Sequence, residues 1–451
     1  MMRKYRIYAP MIAVLALFAA CKKDKGGGTT TPPPPPAIDK VKDTTIGYTR
    51  DIYLWYNQIP ASFNAQSYAD PDKIMTAIRA YSKEAGFTNA VDRWSFAMKK
   101  AEWDNASSGV SGDFGLGVFF RAEGDLRVKS VEKSSPAGTK GIKRGWRITK
   151  INGSSNITTG NADFIIQNVF NSSSSSFTFQ KPDGSTVDLS LTSASYQENP
   201  IYLDSVYTVN GKKVGYLVFN SFLGDTTAIY NEFNRIFNKF SAAGVSELAV
   251  DLRYNGGGYV SVQEKLANYI VKSSATGSVM MKQQFNDKYS SWDEVMNFNK
   301  LGSLNVDRVF FIVSNSTASA SELLINNLKP YMDVKIVGPG ATYGKPVGFF
   351  PIPVGDWYIF PVSFRSTNKN GSGNYFAGFA VDSQQPDGLD KDWGDITETA
   401  FGSIVKFLNT GSFSRAEIPG GAAGVVTPQT INSNQKFEEN KFKGAVINKR
   451  F

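Results

Sequence analysis

The sequence predicts a multidomain α/β protein, with a small helical segment and a β-rich segment ahead of a larger mixed domain. Three observations predict it. After residue 200 a strand, a turn and a helix recur twice over, the order that lays helices against a sheet. Between residues 109 and 200, glycine turns and β-branched runs dominate, as in closely spaced strands. Before them, Asp70-Pro71 is followed by Ile74, Ile78 and Tyr81 at helical spacing, with Gly86 past the end. The length of 451 residues is too great for one ordinary core and agrees with several domains.

The chain opens with a positive start at Arg3, Lys4 and Arg6, an apolar run from Met11 to Phe18, and the small residues Ala19-Ala20 before Cys21. Eight apolar residues in a row are too few to span a bilayer. The order resembles a bacterial lipoprotein signal, residues 1–21, which implies a lipid on Cys21. The implied location is the cell envelope, membrane-bound through the lipid and facing the periplasm. Residues 22–40 are rich in Gly, Thr, Pro and Lys with five consecutive prolines, and are expected to form a stiff tether.

Residues 41–108 read as a small helical domain, with the aromatic stretch Ile52 to Tyr56 lying against the helix that Asp70 caps. In residues 109–200, Gly115-Leu116-Gly117-Val118 precedes a strand at Leu126 to Val131, then Ser135-Pro136-Ala137, Gly141-Ile142, Gly145 and Ile148 to Gly153. This order resembles a PDZ domain of the bacterial protease kind. A Gly-hydrophobic-Gly loop leaves backbone N–H groups for a terminal carboxylate, and the next strand offers an edge for peptide addition. The resemblance makes Gly115, Leu116, Gly117 and Val118 the peptide-binding residues, and Ser172 to Ser176 reads as a serine-rich loop.

In the third domain, residues 201–412, Val214 to Phe219 reads as a strand. Ile229, Phe233, Ile236, Phe237 and Phe240 form one helix face that ends at Gly244. A buried strand, Leu248 to Leu252, runs into Asn255-Gly256-Gly257-Gly258, and a helix follows around Val262 to Ile270. Another strand, Val309 to Val313, feeds a serine-rich turn and a helix through Leu323, Leu324 and Leu328. Residues 413–451, with Gly420-Gly421 and several Asn and Lys, read as a loose tail.

Composition narrows the chemistry. The chain has no histidine and one cysteine, which excludes Ser-His-Asp triads, Cys-His dyads, histidine zinc sites and an internal disulfide. No metal or other cofactor is expected. The net charge of +9 comes from scattered Lys and Arg, with no block resembling a nucleic-acid-binding arm, so no nucleic-acid partner is expected.

Two segments carry chemistry: Asp251-Leu252-Arg253-Tyr254-Asn255-Gly256-Gly257-Gly258, and Thr317-Ala318-Ser319-Ala320-Ser321-Glu322 with Gly344-Lys345 beyond it. Together they resemble the carboxyl-terminal processing serine peptidases, or tail-specific proteases, in the PDZ-containing lipoprotein form, along a stretch from the helical segment to Leu389. The resemblance implies a crotonase-like ββα-superhelix peptidase domain with the PDZ domain inserted upstream. It implies Ser319 as nucleophile, Lys345 as base, and protein or peptide substrates with free C-termini.

The residues themselves agree. A serine where a buried strand meets a helix faces the helix N-terminus, whose unpaired N–H groups favour an oxyanion. Ala320 N–H is one donor; the second comes from the glycine turn, Gly257 first and Gly258 next, since a backbone that must approach a reacting carbonyl cannot carry side chains. Without histidine, a neutral lysine is the base best able to deprotonate Ser319, and the apolar neighbours of Lys345 favour its neutral form. Asp251 and Arg253 read as a structural pair.

Phe349 departs from the family, where a glutamine four residues after the lysine orients the base. Glu322, Thr342 or a backbone carbonyl could substitute. The departure leaves open a peptide-binding scaffold without catalysis. A third alternative is an esterase or peptidoglycan amidase using the same dyad.

Overall fold

A computed structural model of the chain describes residues 39–414, 427–439 and 441–449. Cys21, the signal 1–21 and the tether up to residue 38 lie outside the described residues. Asp39 and Lys40, assigned to the tether by sequence, instead start a helix: the Asp39 carboxylate accepts from Val41 N and caps α1, Lys40–Ile52. This helix has few apolar residues and buries only Thr45, Thr49 and Ile52, so its periodicity is faint. Helix α2, Pro71–Ile78, begins at the predicted cap, with Asp70 accepting from Lys73 N. Helix α3 spans Lys100–Ser108.

Residues 41–108 do not form a core of their own. Strand Phe96–Lys99 pairs antiparallel with Trp357–Phe360. Ile52, Tyr53, Ile74 and Trp103 share one apolar cluster with Leu217, Val250 and Phe311 of the mixed α/β region. The sequence showed the helix but not its distant partner strand.

The β-rich segment is a meander of β1 (Leu116–Ala122), β2 (Asp125–Val131), β3 (Arg147–Ile151), β4 (Ser174–Gln180) and β5 (Thr186–Thr192), with β1 at one edge. Helix α4, Ala162–Val169, packs its Ile165 and Val169 into a separate cluster with Phe114, Val118, Phe177 and Phe179. The serine run is only partly a loop. Ser174 to Ser176 begin β4, because Ser175, Phe177 and Phe179 alternate inward.

Beyond it lies a six-stranded sheet. Its order is β12 (Ser383–Gln384), β11 (Asp333–Gly338), β10 (Arg308–Ile312), β8 (Glu247–Asp251), β7 (Lys212–Phe219) and β6 (Ile201–Val209). Neighbours run parallel except β6 against β7. Both faces are covered, which explains the unbroken apolar strands. Leu217, Leu248, Val250 and Phe311 point to helices α5 (Thr226–Ala242), α6 (Val260–Ile270) and α7 (Ala320–Leu328). Alternate residues Tyr216, Ala249 and Phe310 point to α8, Thr399–Thr410.

The C-terminal stretch is the main correction. Within residues 413–451, expected to be loose, Pro428–Phe437 forms helix α9 and Gly444–Val446 forms strand β13. Thr427 accepts from Thr430 N and caps α9 with Pro428 in its first turn. Phe437 enters the core of the β-rich unit, stacked on Phe120. Strand β13 borrows its hydrogen bonds from β9, Gly257–Tyr259. Both elements depend on partners distant in sequence, so local pattern could not reveal them.

Candidate active site

Strands β8 and β10 are parallel neighbours, so the loops that leave their C-terminal ends emerge together. Four contacts lock these loops. Thr317 Oγ1 donates to Leu252 O at 2.7 Å, Ala318 N to Asn255 O at 3.0 Å, Ser321 Oγ to Asn255 O at 3.0 Å, and Ser314 Oγ to Arg253 O. The glycine turn therefore lies against the start of α7.

Ser319 stands at the junction with φ 58° and ψ −108°, a conformation that costs a non-glycine residue about 1–3 kcal/mol and persists only where its surroundings hold it. Its backbone N–H donates to Glu322 Oε2 at 2.8 Å. Its Oγ is buried and has no hydrogen-bond partner. A buried hydroxyl left unpaired is costly, and at such a turn it is the feature of a group held for another partner.

Lys345 is 1% exposed. Burial pushes its ammonium well below the usual lysine range, against the opposing charges of Asp92 and Glu322. Its Nζ lies 3.8 Å from the centre of the Phe349 ring, so the departing residue packs beneath the amine. The Nζ does not bond Ser319; it donates to Lys443 O at 2.8 Å. Glu322 links the two segments instead. Its carboxylate accepts from Ser319 N and Lys345 N at 2.8 Å each, and from Gly344 N and Thr342 Oγ1 at 2.6 Å each. Burial raises its pKa and these donors oppose the rise. Thr342 is tied in through Glu322 and also receives Phe379 N at 2.8 Å.

The glycine turn corrects one expectation. Gly257 N already donates to Asn255 Oδ1 at 2.9 Å, so it is not a free second donor. In the parallel register that pairs Gly257 with Gly444, Gly258 N–H faces the Gly444 carbonyl. A Cβ on Gly257 would lie 2.4 Å from Gly444 O, 2.9 Å from Ala318 O and 3.0 Å from Ala320 N. Ala320 N and the carbonyl oxygens of Gly444 and Ala318 thus converge on the bare face of Gly257. Asn255, given no role by sequence, orients this turn, its Nδ2 donating to Phe219 O at 3.0 Å. A side chain that satisfies its own backbone two residues on is the available signal.

Asp251 and Arg253 form a buried network: Arg253 meets Asp251 at 2.7 Å, Glu398 at 2.8 Å and Asp387 at 3.0 Å. Gly115, Leu116, Gly117 and Val118 lie far along the chain, at the start of β1. There Gly115 N donates to Asp113 Oδ1 at 2.7 Å, and Gly117 pairs with Ser130 in the sheet. Among the described residues no cluster of His, Cys, Asp or Glu could hold a metal ion.

The model of Peptidase family S41 matches residues 213–377. A probable CtpA-like serine protease of Staphylococcus aureus is 28% identical over 259 residues, 57% of this chain and 49% of that protein. One from Staphylococcus saprophyticus is 27% identical over 257 residues, 56% of this chain and 49% of that protein. The chain spans about half the length of the curated relatives it matches. In fold it is similar to a crystal structure from Bacteroides fragilis described as an S41 protease, with TM-score 0.67 and 22% identity, covering 81% of this chain and 97% of that one. The segment matched by the S41 family model contains Ser319, Lys345 and the glycine turn, and over it the chain is similar to CtpA-like serine proteases.

Proposed function

We propose that the chain is a serine endopeptidase that cleaves proteins or peptides near their C-termini, with Ser319 as nucleophile and Lys345 as general base. The observation that carries this reading is the unpartnered Ser319 Oγ on a strained turn, with a buried lysine of lowered pKa held to the same carboxylate. Neutral Lys345 takes the Ser319 proton as Oγ attacks the scissile carbonyl. Ala320 N–H and Gly258 N–H then receive the oxyanion. Glu322 positions both segments, in place of the family glutamine replaced here by Phe349.

Residues 109–200 act in this reading as a PDZ domain that gathers substrate tails, and Cys21 carries a lipid that holds the enzyme at the membrane on the periplasmic side. Labelling of purified protein with a fluorophosphonate probe tests the chemistry: wild type is labelled and Ser319→Ala is not. Fatty-acid labelling lost in Cys21→Ala tests the anchor.

Phe349 favours a second reading, a peptide-binding scaffold without catalysis. That reading requires no labelling under any condition, together with retained peptide binding.

A further inference from the structure

The chain's own C-terminal segment lies across the site just described. Strand β13 runs parallel to β9, with Gly444 N donating to Gly256 O at 2.9 Å. On its other side, Phe349 N donates to Ala445 O at 3.0 Å and Ile447 N to Phe349 O at 3.3 Å. An extended peptide is thus sewn between the glycine turn and the segment after Lys345, in the manner of strand addition. Its Lys443 carbonyl takes the Lys345 amine. Ser319 and Lys345 are each 1% exposed with this strand in place, so no second peptide can reach them.

The preceding helix, α9, covers the edge of the β-rich sheet, which β1 forms and not the interior strand after it. Asn434 Oδ1 accepts from Phe120 N at 2.7 Å and Asn434 Nδ2 donates to Phe120 O at 2.9 Å. One side-chain amide thereby makes the two bonds that one residue of an added antiparallel strand would make. Phe437 stacks on Phe120, and Glu438 pairs with the buried Lys129.

We propose that the segment carrying α9 and β13 is a built-in occupant of both peptide-binding surfaces, α9 on the β1 edge and β13 in the cleft, so that the enzyme is latent until this segment is displaced. The proposal rests on the peptidase reading above. Substrate and tail compete for the same backbone donors and acceptors. Displacement frees the Lys345 amine for Ser319 and uncovers the β1 edge in one step, because α9 and β13 are consecutive.

The test uses the full chain. A Cβ on Gly444 would stand 2.3 Å from the Phe442 ring and 2.7 Å from the buried Phe349 ring, so Gly444→Val is expected to loosen β13 against Phe349 while leaving Ser319, Lys345 and the glycine turn unsubstituted. Asn434→Ala loosens α9 and serves as the second variant should Gly444→Val fail to fold. Two quantities are read: the fluorophosphonate labelling rate, and binding of a fluorescein-labelled synthetic peptide with the sequence of residues 427–451. We expect Gly444→Val to label at least tenfold faster than wild type, and to bind the peptide at least tenfold more tightly. Added peptide should slow its labelling. Equal, measurable labelling of wild type and both variants would overturn latency while leaving the serine reading intact. If no protein is labelled, the serine reading fails, and the binding arm alone decides the occupant. Tighter peptide binding by Gly444→Val then supports it, and equal or absent binding overturns it.

Discussion

Glu322 Oε2 accepts the backbone N–H of Ser319 and that of Lys345 at the same distance, 2.8 Å. A single oxygen thereby sets the separation of the Ser319 and Lys345 segments, while Oε1 holds Thr342 and Gly344. Glu322→Gln keeps the volume but turns an NH2 group toward two donors, leaving at least one of them unsatisfied. A lost charged hydrogen bond of this kind corresponds to about a 10- to 100-fold fall in kcat. KM should change little, since all the carboxylate's donors come from the Ser319 and Lys345 segments. A change confined to KM would show that Glu322 does not position the pair.

Lys345 should weaken the fold that uses it. Its pKa is lowered by burial, so the unfolded chain binds more protons than the folded chain at any pH between the lowered value and that of a free lysine. Stability therefore rises with pH through that window, and the penalty vanishes above the free value of about 10.4. Lys345→Met, which fills similar volume without a charge, should melt at a higher temperature than wild type at pH 7. The difference should shrink as the pH approaches that free value. A variant less stable than wild type at pH 7 would contradict the assignment of a neutral buried amine.

The Arg253 network is structural, and it lies under the loop that carries the glycine turn. Replacing Arg253 with Met leaves Asp251 and Glu398 buried without their cation, at a cost of about 3–5 kcal/mol. Urea denaturation should show an unfolding free energy lower by that amount, read as a lower midpoint at unchanged slope. Residual activity measured well below the midpoint should keep the wild-type pH profile, because Arg253 takes no part in proton transfer.

What could be read from the sequence was whatever depends on residues close together along the chain. The pairing of the Ser319 and Lys345 segments was expected from the resemblance of their motifs to the tail-specific proteases, and the structure ties both backbones to Glu322. The choice between Gly257 and Gly258 was not legible, because it depends on where the Asn255 side chain turns. The shared core of residues 41–108 was hidden, since Phe96–Lys99 finds its partner only at Trp357–Phe360. Residues 441–449 hold only a three-residue apolar run, Ala445-Val446-Ile447, flanked by Gly444 and by Asn448 and Lys449, too short to mark a strand by pattern. Their order comes from the glycine turn and Phe349, which complete a short strand that has no periodicity of its own.

The central claim, that neutral Lys345 is the base for Ser319, is tested most directly by the pH dependence of fluorophosphonate labelling in wild type, Gly444→Val and the Lys345→Arg variant of each. The account predicts labelling that rises with pH through one ionisation lying below the ordinary lysine value of about 10.4. It predicts background labelling at every pH with Lys345→Arg, since arginine keeps the charge but cannot release its proton. Substantial labelling by a folded Lys345→Arg protein, with the pH profile of its parent, would contradict it.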